Sequence, residues 1–342
     1  MNMYNWLEQL IYAERKKAMP ILAFPAVQHL YITVRELVAD SNHQAIGLRL
    51  IADNYDMPAI MNYMDLSIEA EAFGAHAVFS ADEIPTIIGK LLKTEEDIEA
   101  LMVPEVGKGR TGSNIEAIKK ARVLINDKPI IAQCIGPFSL AGRLMNINDI
   151  MSDCYEEPEM VHKVLRKATD FLVKYASEYK REGADGLIIA EPLAGLLSPQ
   201  LIEEFSSAYV REIIETVQSK NFITIYHNCG NSVPHLMKSI VDIGCFAFSF
   251  GDSANMRDML ELIPRNYLVM GNISPAQVFN TGSTEKVRLE TLRLLHDCGD
   301  YNNFLISSGC DIPPGVDLDN VETFFNTVEG FYYRKSLRNA IS

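Results

Sequence analysis

From residue 113 to the C-terminus the chain repeats one pattern, a helical stretch followed by a short apolar run, and this alternation restricts the fold more than any single motif. Helical spacing over 113–126, 157–182, 198–219, 231–242, 255–262 and 283–297 leads each time into a run of strand character. Those runs are Pro129–Ile135, Gly186–Ala190, Phe222–Tyr226, Cys245–Phe250, Tyr267–Met270 and Asn303–Ile306, and a last helix covers about 318–335. Before residue 113, the proline-bounded run Pro20–Pro25 reads as a first strand and Ala75–Ser80 as a second, with helices over 30–52 and 57–73. Eight short strands each followed by helix are the pattern of an α/β protein built as a single (β/α)8 TIM barrel.

No linker or break in composition divides the 342 residues, so residues 1–342 are expected to form one domain. Residues 1–19 carry a leading helix, with Trp6, Leu10, Ile11 and Ala13 at helical spacing over 5–18, expected to close one end of the barrel. The polar, acidic stretch 80–112 is an insertion. Its Gly107-Lys108-Gly109-Arg110-Thr111-Gly112 follows no strand and lacks the GK[ST] ending of a phosphate loop, so it reads as a flexible loop or lid.

In a barrel of this kind the chemistry sits at the C-terminal ends of the strands, which singles out the polar residues there. They are Glu191 after the fourth strand, His227 and Cys229 after the fifth, Asp252 after the sixth, Asn272 after the seventh and Cys310 after the eighth. His227 and Cys229, two residues apart, project from the same side of an extended segment. With Cys310 they make one nitrogen and two sulfur ligands that leave a fourth position open, the donor set of a catalytic zinc. Read alone, the histidine and cysteine carry less, because cysteine often behaves as a small buried hydrophobe. Cys245 and Cys298 are expected in packing roles, His235 and His296 on helix surfaces and His76 at the opposite end of the barrel, while His29 could line the mouth. Glu191 could equally cap the helix beginning near Pro199, and Asn272 could brace a loop.

Charge excludes some partners. With 31 basic and 45 acidic residues the net charge is −14, and no Lys/Arg run interrupts it, which disfavours nucleic acid and acidic membranes. Six scattered cysteines in a long acidic chain point to a reducing, cytoplasmic compartment rather than a disulfide scaffold. The N-terminus lacks the apolar core of a signal peptide, and no apolar run is long enough to span a bilayer.

Five segments together resemble the uroporphyrinogen decarboxylase superfamily: Gly136-Pro137-Phe138-Ser139-Leu140-Ala141-Gly142, Gly183-Ala184-Asp185-Gly186 with Glu191-Pro192, His227-Asn228-Cys229-Gly230-Asn231, Gly271-Asn272-Ile273-Ser274-Pro275 and Ser308-Gly309-Cys310-Asp311. Within it, these and Asp65-Leu66-Ser67-Ile68-Glu69-Ala70-Glu71-Ala72-Phe73-Gly74 are most similar to the zinc-dependent methylcobalamin:coenzyme M methyltransferases. The resemblance implies the barrel, and it implies zinc on His227, Cys229 and Cys310. It further implies a methyltransferase that moves a methyl group between a corrinoid (methylcobalamin) and a small thiol or other methyl donor. With no corrinoid-binding module in the chain, the corrinoid would arrive on a corrinoid-binding protein docked over the 80–112 and 138–156 loops. Asp252 or Glu191 would fill the open zinc position or act behind it.

The decarboxylase branch is the competing expectation, a metal-free lyase on the same barrel. Its arginine-rich segment after the first strand is missing, since Phe24-Pro25-Ala26-Val27-Gln28-His29-Leu30-Tyr31 is followed by no arginine before Arg35. Its aspartate at the end of the second strand is matched by Asp82 only with a one-residue shift. A non-catalytic accessory to a corrinoid protein is the third expectation, since one barrel hosts many functions.

Overall fold

A computed structural model describes residues 1–341. Its core is a seven-stranded parallel sheet with strands adjacent in the order β1 (Ile60–Met61), β4 (Ile130–Ile135), β5 (Gly186–Ala190), β6 (Ile223–Asn228), β7 (Ala247–Phe250), β8 (Leu268–Ile273) and β9 (Phe304–Ser308). Strands β2 (His76–Val78) and β3 (Thr86–Ile88) form a separate antiparallel hairpin. Helices cover the outer face, the longest in the middle of the chain being Pro158–Arg181, whose Val161, Val164, Leu165, Ala168, Phe171 and Leu172 are buried. The sheet is thus TIM-barrel-like, and its last six strands coincide with the expected runs.

The first part of the chain departs from expectation. The run 75–80 was expected as a barrel strand, but it forms the hairpin arm β2, whose His76 and Val78 are exposed. The barrel strand is instead β1, inside the stretch expected to be helical over 57–73; only Ile68–Phe73 is helix there. Met57, Ala59, Ile60 and Met61 are all buried, and a two-residue ladder is too short to leave a period-2 signal. The expected first strand, 20–25, forms no ladder. Met19 N–H donates to the Ile306 carbonyl at 3.0 Å and Ile21 N–H to the Ser308 hydroxyl at 3.0 Å, so this segment lies along β9 as extended chain. Eight regular strands are therefore not what this chain forms.

Inside the sheet, one apolar cluster draws side chains from every stave: Met19 and Ile21 from the extended segment, Met61, Ile131, Ile188, Ile225, Ala247, Leu268 and Leu305. The leading helix, Met3–Tyr12, adds Met3, Trp6, Leu7 and Ile11 to the same cluster, and so stops the end where the strands begin. Its start is tied by Met3 N–H to the Lys220 carbonyl at 2.7 Å. At the helix's far end the Lys16 ammonium donates to the carbonyls of Leu10, Ile11 and Asn302 at 2.6, 3.0 and 2.7 Å.

The alternation of strand side chains then decides what sits at the other end. On β6, Ile223 and Ile225 face inward, so His227 does too; on β7, Ala247 does, and so Ser249; on β9, Leu305 does, and so Ser307. Apolar layers are thereby capped by polar side chains at the strands' C-terminal ends.

Candidate metal centre

His227 is 1% exposed, and the register sets it directly opposite Ser249 on β7. Its Nδ1 lies 3.0 Å from the Ser249 hydroxyl, while its Nε2 is buried with no hydrogen-bond partner. A buried, unpartnered imidazole nitrogen whose other nitrogen is held in place is the arrangement of a metal-ligating histidine.

Cys229 follows in the loop after β6, which Asn228 shapes: its Oδ1 accepts from Gly230 N–H at 2.9 Å and its Nδ2 donates to the Tyr226 hydroxyl at 3.1 Å. Gly230 packs against Gly195 so closely that a Cβ on it would lie 2.5 Å from the Gly195 Cα, so the loop can pass only as glycine. Cys310 comes from the loop after β9 and meets both partners there. A hydrogen bond from Cys310 and, more weakly, local backbone donors hold the Cys229 thiol below its ordinary range, against burial and the nearby charge of Asp252. The same contact, with burial, pushes Cys310 up to about 12, opposed by His227. The two thiols are thus near enough to shift one another in opposite directions. His227, Cys229 and Cys310, from two separate strand ends, are brought to the same end of the sheet, although among the described residues no group of three His, Cys, Asp or Glu side chains is placed so as to hold a metal ion.

The other three expected residues divide. Glu191 directs its carboxylate onto the start of the helix Pro137–Met145. It accepts from Phe138 N–H and Ser139 N–H at 2.9 Å each and from the Ser139 hydroxyl at 2.6 Å. It caps that helix and not the one beginning at Pro199, whose cap is Ser198. Burial raises the Glu191 carboxyl to about 7 in spite of these donors. Gly136 lies against it, since a Cβ there would stand 2.3 Å from the Glu191 Cγ. Asn272 braces a loop: its Nδ2 donates to the carbonyls of Gly251 and Ala254 at 2.8 and 2.6 Å. Asp252 sits in that loop, exposed, with its backbone against Gly309 and its charge felt at Cys229.

Several residues were not singled out from sequence. Ser249 makes the one hydrogen bond to the His227 ring among the described residues, and the inward parity of Ala247 was the available signal. Asp311, beside Cys310, is half-buried with both carboxylate oxygens buried and unpartnered, and burial pushes it well above the usual range. Arg110, from the glycine-rich stretch, is buried and ion-paired with Asp65 and with Glu71 (2.6 Å), and donates to the Ser67 hydroxyl at 2.7 Å. That end of the 80–112 insertion is therefore pinned to the loop after β1. His29 turns toward Tyr55, with ring centroids 6.3 Å apart, and not toward His227.

The profile of the family described as uroporphyrinogen decarboxylase (URO-D) matches residues 26–331. A methylcobamide:CoM methyltransferase of Methanosarcina acetivorans is 27% identical over 306 residues, covering 86% of this chain and 84% of that protein. A uroporphyrinogen decarboxylase of Alcanivorax borkumensis is 25% identical over 292 residues, covering 81% and 80%. Among solved structures, a methyltransferase from Methanosarcina mazei superposes with a TM-score of 0.84 at 22% identity, covering 97% of this chain and 99% of that one, a likeness of fold.

Proposed function

The chain belongs to the uroporphyrinogen decarboxylase family, and on that footing we propose that it is a zinc-dependent corrinoid methyltransferase, passing a methyl group between a corrinoid carried on a partner protein and a small thiol of the coenzyme M kind. The observation that carries this reading is the His227 imidazole, whose Nδ1 is occupied by Ser249 and whose buried Nε2 has no partner beside two thiols. Zinc would complete that group. His227, Cys229 and Cys310 would hold the ion. Bound there, zinc lowers the pKa of a coordinated thiol so that a nucleophilic sulfur exists at neutral pH.

The chain's own residues do the rest. Ser249 orients the His227 ring, and Asn272 holds the Gly251–Ala254 loop against Cys229. Glu191 has its oxygens committed to the 137–145 helix, so of the two carboxylates expected there Asp252 is the one left to fill the fourth position before substrate arrives. Positioning and exclusion of water at the mouth supply the catalysis, and the methyl group leaves the corrinoid without its bonding electrons as the thiolate sulfur supplies the new pair.

The 25% identity to a uroporphyrinogen decarboxylase keeps metal-free decarboxylation as the second reading. Incubation of zinc-loaded protein with methylcobalamin and coenzyme M separates them. Methyl-coenzyme M formed in step with corrinoid demethylation, and absent in Cys310→Ser, supports the proposal. Porphyrinogen decarboxylation that persists in that variant contradicts it.

A further inference from the structure

Outside the barrel, between the segment 15–18, the end of the helix Ser41–Asn54 and the helix Leu318–Ile341, lies a cavity of about 610 Å³. That is the size range of sites for small organic molecules. Aromatic rings form its walls. Tyr55 stacks on Phe325 with centroids 5.1 Å apart and planes 22° from parallel, and Tyr333 stands at the other end.

The polar groups on these walls fall into two sets. The cations are engaged: the Lys16 ammonium faces three carbonyls, Lys17 pairs with Asp56 at 2.8 Å, and Arg15 stacks 4.9 Å from the Tyr333 centroid while donating to Ser336 at 3.1 Å. Glu322 and Glu329, which also line the cavity, have neither an ion pair nor a hydrogen-bond partner among the described residues. Both are exposed, whereas His29, which also lines the cavity, has a buried Nε2 without a partner. Stacked aromatic faces beside unpaired carboxylates recognise organic cations, the faces through their quadrupoles and the carboxylates through their charge.

We propose that this cavity is a binding site for a small organic cation with an apolar body, an amine or quaternary ammonium, seated on the Tyr55–Phe325 pair with its charge toward Glu322. Tyr55 is 8% exposed, and burial together with the charge of Glu322 pushes its hydroxyl up to about 12, which sets that carboxylate near the ring. Neither the zinc ligands nor the barrel mouth contributes to the site.

The test is calorimetric titration of the intact protein with benzyltrimethylammonium, and with phenylacetate as an anion of similar body. The expected result is saturable binding of the cation and none of the anion. Affinity should fall about tenfold in Glu322→Gln and in Phe325→Leu and be unchanged in Cys310→Ser. Thermal melting of each variant confirms that it is folded, and both substitutions are conservative in size. Absence of cation binding, equal binding of phenylacetate, or undiminished affinity in both folded variants overturns the proposal.

Discussion

Ser249→Ala removes one hydroxyl and leaves the His227 Nδ1 without its 3.0 Å contact. The ring then loses its fixed orientation, and zinc affinity should fall by about 10–100-fold, read by competition with a chromogenic chelator. Folding should change little, since the site is small. Glu69 offers a test away from the centre. It is 2% exposed, its Oε1 accepts from Ile135 N–H at 3.1 Å and its Oε2 has no partner. Burial raises its carboxyl from 4.5 to about 8. A raised folded-state pKa means that the folded chain holds this proton more tightly than the unfolded one. The stability it contributes is complete below pH about 4.5 and is lost as pH rises through about 8. Glu69→Gln should therefore flatten the decline of denaturant stability across that window, and a variant declining as steeply as wild type would contradict the assignment.

At the scale of elements, the 137–145 helix is held from across the sheet by Glu191, whose carboxylate satisfies three donors that helix and loop would otherwise bury unpaired. Glu191→Ala should cost on the order of 3 kcal/mol in chemical denaturation, with zinc content per folded chain unchanged. Loss of zinc without loss of stability would instead make Glu191 a ligand. Glu191 also marks where sequence reading stops: a carboxylate at a strand's end was visible, but which backbone N–H groups it meets depends on a helix 53 residues earlier. The strands from β4 to β9 were legible because each is a continuous apolar run between helices. β1 was not, because Ile60–Met61 is short and set among other buried residues, and the 75–80 run misled because apolar composition does not distinguish a barrel strand from a hairpin arm. His227, Cys229 and Cys310 were legible as strand-end residues, and their approach to one another depends on β6 through β9 lying side by side in the sheet.

For the whole molecule, the layering of the sheet joins fold to chemistry. Apolar side chains from every stave and from the leading helix fill the interior up to one level. Above it the same strands present histidine, serine and two loop cysteines, so the reactive end is a consequence of strand parity and length. No helix among the described residues is long and apolar enough to cross a membrane. Whether this end of the sheet holds zinc is decided by elemental analysis of the purified protein beside Cys310→Ser and His227→Ala. The prediction is about one zinc per chain in wild type, lost or strongly weakened in both variants, since each removes one of three ligands from separate loops. A metal-replete wild type without zinc, or variants that keep the full complement, would contradict it.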